Sequence, residues 1–320
     1  MKKQISYSTI GCDLVAGFND GNFFPQEILD KYEFVLNKKN PDFVFCSCFF
    51  QTLGEFTKYN DAVKIFFSGE NVSPDFIFFD YWVGFDDIAF SDRYFQLPFC
   101  FWESEYTKDK NVNINEKKDY FCDFIYSHDD ENHRREKVFK KLSEYKQVSS
   151  FGSFLNNSGI YVSKNNKSEI QSKCKFSLII ESCDTDGFIT EKLIHALKAG
   201  TIPVFFGTNK VVKYFNNKRF INANDFSSLD EVIEEVKRID NNDVLYKQML
   251  NENIYANGFD LNILRANYIK FLEHIFDNTP IIRRDLQYSN ARYFKALKRY
   301  SKFSLTRYPF KKLIKNILKK

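Results

Sequence analysis

The sequence predicts an α/β protein of two Rossmann-like domains followed by a basic amphipathic tail. Three observations lead there: short Phe-, Ile- and Val-rich runs at the spacing of parallel strands, a restart of strand–helix alternation after a polar stretch, and an abrupt change of charge near Ile282. At about 150 residues per domain, 320 residues also suit two domains.

In the first third, residues 5–10, 32–36, 43–48, 63–67 and 76–79 are apolar runs of four to six residues, the pattern of strands buried on both faces. Strands so spaced imply βαβ units and a doubly wound sheet. Residues 107–118 (TKDKNVNINEKK) are polar and nonperiodic, as a linker or mobile loop is. The alternation then resumes with a strand at 121–126, a helix at 134–145, a strand at 176–181, a helix at 190–199, a strand at 202–207 and a helix at 225–239. The expected domains are therefore 1–118 and 119–280, with 281–320 as the tail.

The formal net charge of +4 is the sum of two unlike parts. Residues 283–320 carry 13 Lys and Arg against one acid, or +12, leaving 33 basic and 41 acidic residues, or −8, in residues 1–282. Near the end, Phe310, Leu313, Ile314, Ile317 and Leu318 fall on one helical face with lysines filling the rest, and Pro309 precedes them. Such a helix suits an anionic lipid surface, where each Lys or Arg contributes about 1 kcal/mol. A tail disordered in solution fits the same composition. Nucleic acid is disfavoured as a partner, because the body is acidic and holds no recognised nucleic-acid motif.

Composition excludes further classes. With 12 Gly, 7 Pro and 28% charged residues the chain is neither fibrous nor of low complexity. Seven scattered cysteines with no CxxC pair argue against a disulfide framework and a structural zinc site, and for a reducing compartment. Gln4 to Asp13 is too polar and short for a signal h-region, and no run of 18 apolar residues exists, so a cytoplasmic setting is expected.

Residues 175–207 (KFSLIIESCDTDGFITEKLIHALKAGTIPVFFG) carry the most chemistry. They read as strand, loop, helix, strand, with Thr190 as N-cap and Gly200 closing the helix. Glu191 in the first turn complements the helix dipole, whereas Lys192 beside it opposes the dipole unless an anion is there. An ammonium beside free N–H groups at a helix start is how phosphate sites are built. A solvated lysine on an exposed turn accounts for the local pattern equally well.

This segment resembles the donor-binding block of the α-1,3/4-fucosyltransferases at Phe176, Glu181, Thr190, Glu191, Lys192, Pro203 and Val204. Residues 65–98 resemble the family's acceptor-domain block, with its core at Gly69, Glu70, Asn71, Pro74, Asp75 and Phe76. From Arg134 onward, with Arg135 seven residues before Leu142, the chain is similar to the family's basic donor-domain block. Three blocks in order over residues 41–280 are far more specific than any one of them.

The resemblance implies a two-domain glycosyltransferase of the GT-B type, transferring L-fucose from GDP-fucose with inversion to a hydroxyl of an N-acetylglucosamine or glucose unit. It makes Glu70 the general base, Arg135 and Lys192 the pyrophosphate contacts, and Glu191 a partner for sugar hydroxyls or developing oxocarbenium charge. Glu181, Ser182, Phe188 and His128 complete the expected donor site. Taken without the resemblance, Glu70 fits a solvated loop, Glu191 fits dipole complementarity, and Arg134 is as basic as Arg135. The chain departs from the family pattern in having Ser182 where many members have Asn and Phe188 where they have Tyr. A related GDP-6-deoxyhexose such as GDP-colitose is therefore an alternative donor, and a non-catalytic nucleotide-sugar or membrane-binding relative a second alternative.

No cofactor is expected to be required and no metal is assigned, although a divalent ion is compatible with the site. Asp184-Thr185-Asp186 spells a metal-binding DxD, but in this setting Arg and Lys are expected to neutralise the diphosphate. The polar run at His128, Asp129, Asp130, Glu131 and His133 reads as a loop facing the donor more readily than as a metal site. His195 and His274 fall on helix patterns and read as structural. The expected acceptor is a glycan, lipid-linked in a lipopolysaccharide O-antigen or another surface polysaccharide pathway, lying between the domains and met by loops 19–24 and 102–106. That places the protein in the cytoplasm, peripheral on the inner face of the membrane.

Overall fold

Two parallel sheets organise the computed structural model, which describes residues 2–12, 24–50, 53–102, 117–163, 166–278 and 281–284, together with residues 295, 296 and 299. The chain divides into two units, Met1–Leu97 with Asn262–Lys320 and Pro98–Leu261.

In the first unit β1 (Lys3–Ile10), β2 (Tyr32–Leu36), β3 (Phe43–Cys46), β4 (Val63–Phe67), β5 (Tyr81–Gly84) and β6 (Tyr94–Gln96) form a sheet in the order β2-β1-β3-β4-β5-β6. Every pairing is parallel. A short helix α1 (Gln26–Lys31) leads into β2. The aromatic richness of the sequence is spent here: Phe24, Phe34, Phe45 and Phe67 pack ring on ring, and Phe276 from the closing helix Leu261–Asp277 joins them.

The second unit holds β7 (Tyr120–Phe124), α2 (Arg134–Ser143), β8 (Val148–Ser150), α3 (Lys167–Ser172), β9 (Cys174–Ile180), α4 (Glu191–Lys198), β10 (Ile202–Phe206), β11 (Ile221–Asn222), α5 (Leu229–Asp240) and α6 (Asp243–Asn251). Its parallel sheet runs β11-β10-β9-β7-β8. One face packs against α2 and α5, with Val138, Leu142, Val232 and Val236 buried; the other packs against α4 through Leu193, Ile194 and Leu197. Ser228 caps α5, accepting from the Glu231 N–H, and the apolar stripe on that helix faces the sheet as its periodicity predicts.

Several expectations change: the strand expected at 121–126 ends at Phe124, and the helix expected from 225 starts at Leu229. Residues 76–79 form a turn and the strand follows at Tyr81, because Asp75 folds the chain: its carboxylate accepts from Ile77 N–H and its carbonyl from Phe78 and Phe79 N–H. The strand expected over 43–48 ends at Cys46. The domain limits of 118 and 280 differ from the observed division, which falls at Leu97 and returns to the first unit at Asn262.

The start of the basic tail is part of the first unit's core. Arg284 is 2% exposed and donates from Nη1 to Asp80 Oδ2 (2.5 Å) and to the Ala62 carbonyl (2.9 Å). Asp80 also accepts from the backbone N–H groups of Arg284, Arg283 and Lys64, so its carboxylate joins three segments. Breaking a buried pair of this kind costs about 3–5 kcal/mol, since the surviving charge is left without a partner. Arg283 pairs with Asp92, which it holds well below the usual carboxylate range. The amphipathic stretch at 310–318 and most of loops 19–24 and 102–106 lie outside the described residues.

Asp123, near the end of β7, is a second buried acid. Burial pushes its carboxyl up to about 7, against hydrogen bonding by Ser177 and the positive charge of Lys167. A carboxyl ordinarily near 3.8 keeps its proton longer in the folded state than in the unfolded chain. Its stabilising contribution is therefore full below pH 4 and is lost as pH rises to about 7. Asp123→Asn fixes the neutral form. Urea unfolding should show the variant gaining on the parent by a few kcal/mol, to order of magnitude, between pH 4 and pH 8; parallel stability curves for the two proteins would contradict this assignment.

Candidate functional site

The second sheet reverses its winding between β7 and β9: β8 lies outside β7 on one flank, while β10 and β11 lie outside β9 on the other. At such a switch point neighbouring loops leave in opposite directions and a crevice opens beyond the strands' carboxyl ends. The β7–β9 ladder stops at Asp123–Ser177, and past that point side chains satisfy the β9 backbone. The Tyr126 hydroxyl accepts from Ile180 N–H (2.6 Å) and donates to the Leu178 carbonyl (3.2 Å).

The first turn of α2 enters the same gap. The Arg135 guanidinium lies 4.3 Å from the Tyr126 ring centroid. Its Nη1 donates to the His128 carbonyl (3.0 Å) and its Nη2 to the Ile180 carbonyl (3.5 Å), while its Nε is buried without a partner. Arg134 is differently engaged. Its Nη1 donates to both carboxylate oxygens of Asp184 (2.7 and 2.8 Å), and its Nη2 donates to the Glu181 carbonyl (2.6 Å). The two adjacent arginines thus divide the work: Arg134 ties the loop after β9 to α2, and Arg135 stays at the strand ends.

Across the gap, Glu181 follows β9 and is completely buried. Its Oε1 accepts from the Thr190 N–H (2.8 Å) and from Thr190 Oγ1 (2.9 Å), which lies equally close to Oε2. Burial pushes this carboxyl up, against the pull of Lys192, whose Nζ is 3.9 Å from Oε2. Thr190 is the N-cap of α4, as the sequence predicts. Lys192 donates to Thr190 Oγ1 (3.0 Å) and pairs with Glu191 Oε1 (3.3 Å), so two carboxylates offset its charge at the positive end of the helix. Burial raises the Glu191 carboxyl, but the nearby charges of Lys192, Lys167 and His195 outweigh it and hold the group below its ordinary range.

The other expected donor residues sort by exposure. Ser182 and His128 are exposed at the ends of β9 and β7, and Gly187, at φ 83°, turns the intervening loop back toward α4. Phe188 is buried, and Glu181 is wholly committed to Thr190 and Lys192, so both shape the site from beneath. Glu70 belongs to the other unit. It is exposed just past β4, in a turn where the Ser68 hydroxyl and the Val72 N–H both donate to its carbonyl. Its charge reaches the Cys48 thiol past the end of β3, adding to the rise that burial causes there.

Among the described residues, Asp129, His133 and Glu136 bring ligand-type atoms within 4.8 Å of one another. Asp129 Oδ2 is hydrogen-bonded to His133 Nδ1 (2.8 Å), Asp129 Oδ1 accepts from the Asp130 N–H, and Glu136 pairs with Lys140. Protein partners thus account for the cluster. The DxD carboxylates are similarly engaged, Asp184 by Arg134 and Asp186 by the Thr208 hydroxyl (3.5 Å). His195 receives Lys167 Nζ at 3.0 Å, and His274 is bonded to Asp92.

Comparison with known proteins bears on this arrangement. Residues 114–253 match the model of the glycosyltransferase family 10 (fucosyltransferase) C-terminal region, and residues 11–103 match that of the α-(1,3)-fucosyltransferase FucT N-terminal domain. The chain belongs to glycosyltransferase family 10. It is 30% identical over 264 residues to the α-(1,3)-fucosyltransferase FucT of Helicobacter pylori, covering 70% of this chain and 55% of that protein. It is 29% identical over 176 residues to the mouse 4-galactosyl-N-acetylglucosaminide 3-α-L-fucosyltransferase 9, covering 54% of this chain and 47% of the relative. The chain thus spans about half the length of these curated relatives. A crystal structure of an α1,3-fucosyltransferase with GDP superposes with a TM-score of 0.73 at 25% identity, covering 89% of this chain and 93% of the other. One with GDP-fucose gives 0.71, at 25% identity. The expected GT-B architecture is thereby borne out.

Within this family 10 chain, the least obvious participants in the sequence are Tyr126 and Arg134. Tyr126 reads there as one more aromatic at a strand end. The signal for Arg134 was the acid–arginine spacing of four from Asp130, whose carboxylate accepts from the Arg134 N–H (2.7 Å). Thr190→Val removes the hydroxyl that joins Glu181 to Lys192 and caps α4. A loss of about 1–3 kcal/mol in unfolding free energy is expected from the buried carboxylate left short of a donor; a change below about 0.5 kcal/mol would mean that Glu181 is held by other means.

Proposed function

We propose that this chain is an inverting α-1,3-fucosyltransferase that moves L-fucose from GDP-β-L-fucose to a GlcNAc or glucose hydroxyl of a glycan. The observation that carries this reading is the ordered Arg135 guanidinium at the switch point, opposite a helix start bearing Lys192. Solved structures of α1,3-fucosyltransferases with GDP and with GDP-fucose support the donor.

In this reading the diphosphate lies over the β7/β9 gap. Arg135 meets phosphate oxygens through its fork and Lys192 acts as a point charge, together stabilising the charge that develops on the leaving group. With these two cations facing the diphosphate, no metal is assigned to the reaction. Glu191, kept ionised by its cationic neighbours, accepts from sugar hydroxyls or faces positive charge at the anomeric carbon. Ser182 and His128 contribute polar groups at the rim, while Phe188 and Glu181 shape the pocket from below. As the bond from anomeric carbon to phosphate oxygen breaks and GDP departs with the electron pair, the acceptor oxygen bonds to the opposite face of that carbon. Its proton passes to the Glu70 carboxylate.

The acceptor we infer is a lipopolysaccharide O-antigen or another surface polysaccharide built on a lipid carrier. Residues 285–320, with 11 Lys and Arg against one acid or +10, support attachment to an anionic membrane and hence a peripheral, cytoplasmic-face location.

Turnover should be measured with GDP-fucose, GDP-colitose and GDP-mannose on N-acetyllactosamine. GDP-fucose is the expected substrate, and turnover with GDP-colitose alone would reassign the donor through the Ser182 and Phe188 departures. Glu70→Gln should lower kcat by about 10² to 10⁴-fold with GDP affinity unchanged, the span of general-base assistance; full turnover by that variant removes Glu70 from the reaction.

For the tail, flotation with phosphatidylserine vesicles should be lost when the chain is cut after residue 290, which retains Arg284, while activity on a soluble acceptor persists. Equal flotation of the full and shortened chains would exclude the tail as the anchor.

A further inference from the structure

We propose that Tyr126 is a positioning residue for the donor diphosphate, acting through Arg135; this rests on the donor-site reading above. Its ring and hydroxyl do separate things. The hydroxyl replaces the missing backbone ladder between β7 and β9, accepting from Ile180 N–H and donating to the Leu178 carbonyl. The ring supports the Arg135 guanidinium at 4.3 Å. Because Ile180 also accepts from Arg135 Nη2 (3.5 Å), one β9 residue receives the arginine and donates to the tyrosine, and all three are fixed together.

A buried tyrosine serving only to fill the core would need one partner for its hydroxyl. This one has two, on alternate β9 residues, in the place a continuing strand would occupy. Burial pushes the phenol well up, so it stays protonated and keeps the proton it donates.

Its backbone is fixed as well. The Tyr126 carbonyl accepts from the Phe154 N–H (2.9 Å), and Ser153 Oγ donates to the Ser127 carbonyl (3.3 Å). Gly152 lies so close that a Cβ there would be 2.1 Å from the Tyr126 oxygen and 2.5 Å from its nitrogen. Only glycine permits that approach. The loop leaving β8 thus holds the end of β7, which carries both the ring beneath Arg135 and the His128 carbonyl that Arg135 Nη1 reaches. A guanidinium held on three sides has less freedom to lose when it meets two phosphate oxygens, which is why pre-ordering raises affinity.

The test is a double-mutant cycle on GDP binding, read by isothermal titration, with the parent chain, Tyr126→Leu, Arg135→Ala and the double variant. Tyr126→Leu should weaken GDP about tenfold in the parent and less than about twofold when Arg135 is already absent, a coupling of the size met between contacting residues. Tyr126→Phe, which keeps the ring and loses the hydroxyl, should fall between parent and Tyr126→Leu. If Tyr126→Leu does not fold, Tyr126→Phe carries the same cycle. Equal weakening with and without Arg135, or none at all, overturns the positioning role. An Arg135→Ala protein that binds GDP like the parent is a failure of the donor-site reading itself, and the role of Tyr126 falls with it.

Discussion

The second unit depends on a carboxylate that solvent never reaches. Glu181 ends the central strand and, nine residues later, takes the N–H and hydroxyl of the residue that starts α4. A charge so deeply buried is costly unless it is hydrogen-bonded and paired, and here Thr190 and Lys192 supply both. One consequence is geometric: strand end and helix start become a single rigid corner, so Ser182, Glu191 and Lys192 stand in fixed relation to one another. Another is electrostatic, because the same carboxylate offsets a lysine that would otherwise oppose the helix dipole.

Parallel winding supplies the remaining constraint. Where β7 and β9 part company, backbone groups on facing edges lose their partners, and the sequence answers with Tyr126 and two arginines. Their assignments follow from what lies beside them. Arg134 has Asp130 and Asp184 within reach, so its charge is answered inside the protein. Arg135 has an aromatic face and carbonyl oxygens, which order the guanidinium without neutralising it. A cation placed but not cancelled is the condition under which a diphosphate gains most.

Much of this was legible in the sequence wherever the governing contacts are local. Thr190, Glu191 and Lys192 are a cap and a first turn, and that much is specified by the sequence, whereas the bonds from Thr190 to Glu181 appear only in the folded chain. The buried strands announced themselves as Phe-, Ile- and Val-rich runs. Reading failed in two ways, where a polar residue turns an apolar run and where distant segments decide. Residues 76–79 have the composition of a strand, yet Asp75 turns them into a loop and the strand waits for Tyr81. The closing helix Leu261–Asp277 follows the second unit in sequence but packs with the first, because Phe276 completes an aromatic cluster begun by Phe24. Composition alone also could not tell that Arg283 and Arg284, two of the tail's thirteen cations, are bound to Asp92 and Asp80.

That last pairing fixes where the tail begins. Asp80, Asn60 and Ala62 lie just before β5 and β4, so Arg284 is seated at the amino-terminal edge of the first sheet, whereas Glu70 emerges from its carboxyl-terminal edge. With strands of four or five residues, the two edges are separated by about 15 Å. Arg284 and the proposed base therefore stand at opposite edges of the sheet. Any pull on the chain after Arg284 is thus borne first by the Asp80 carboxylate, at the edge of the sheet remote from Glu70.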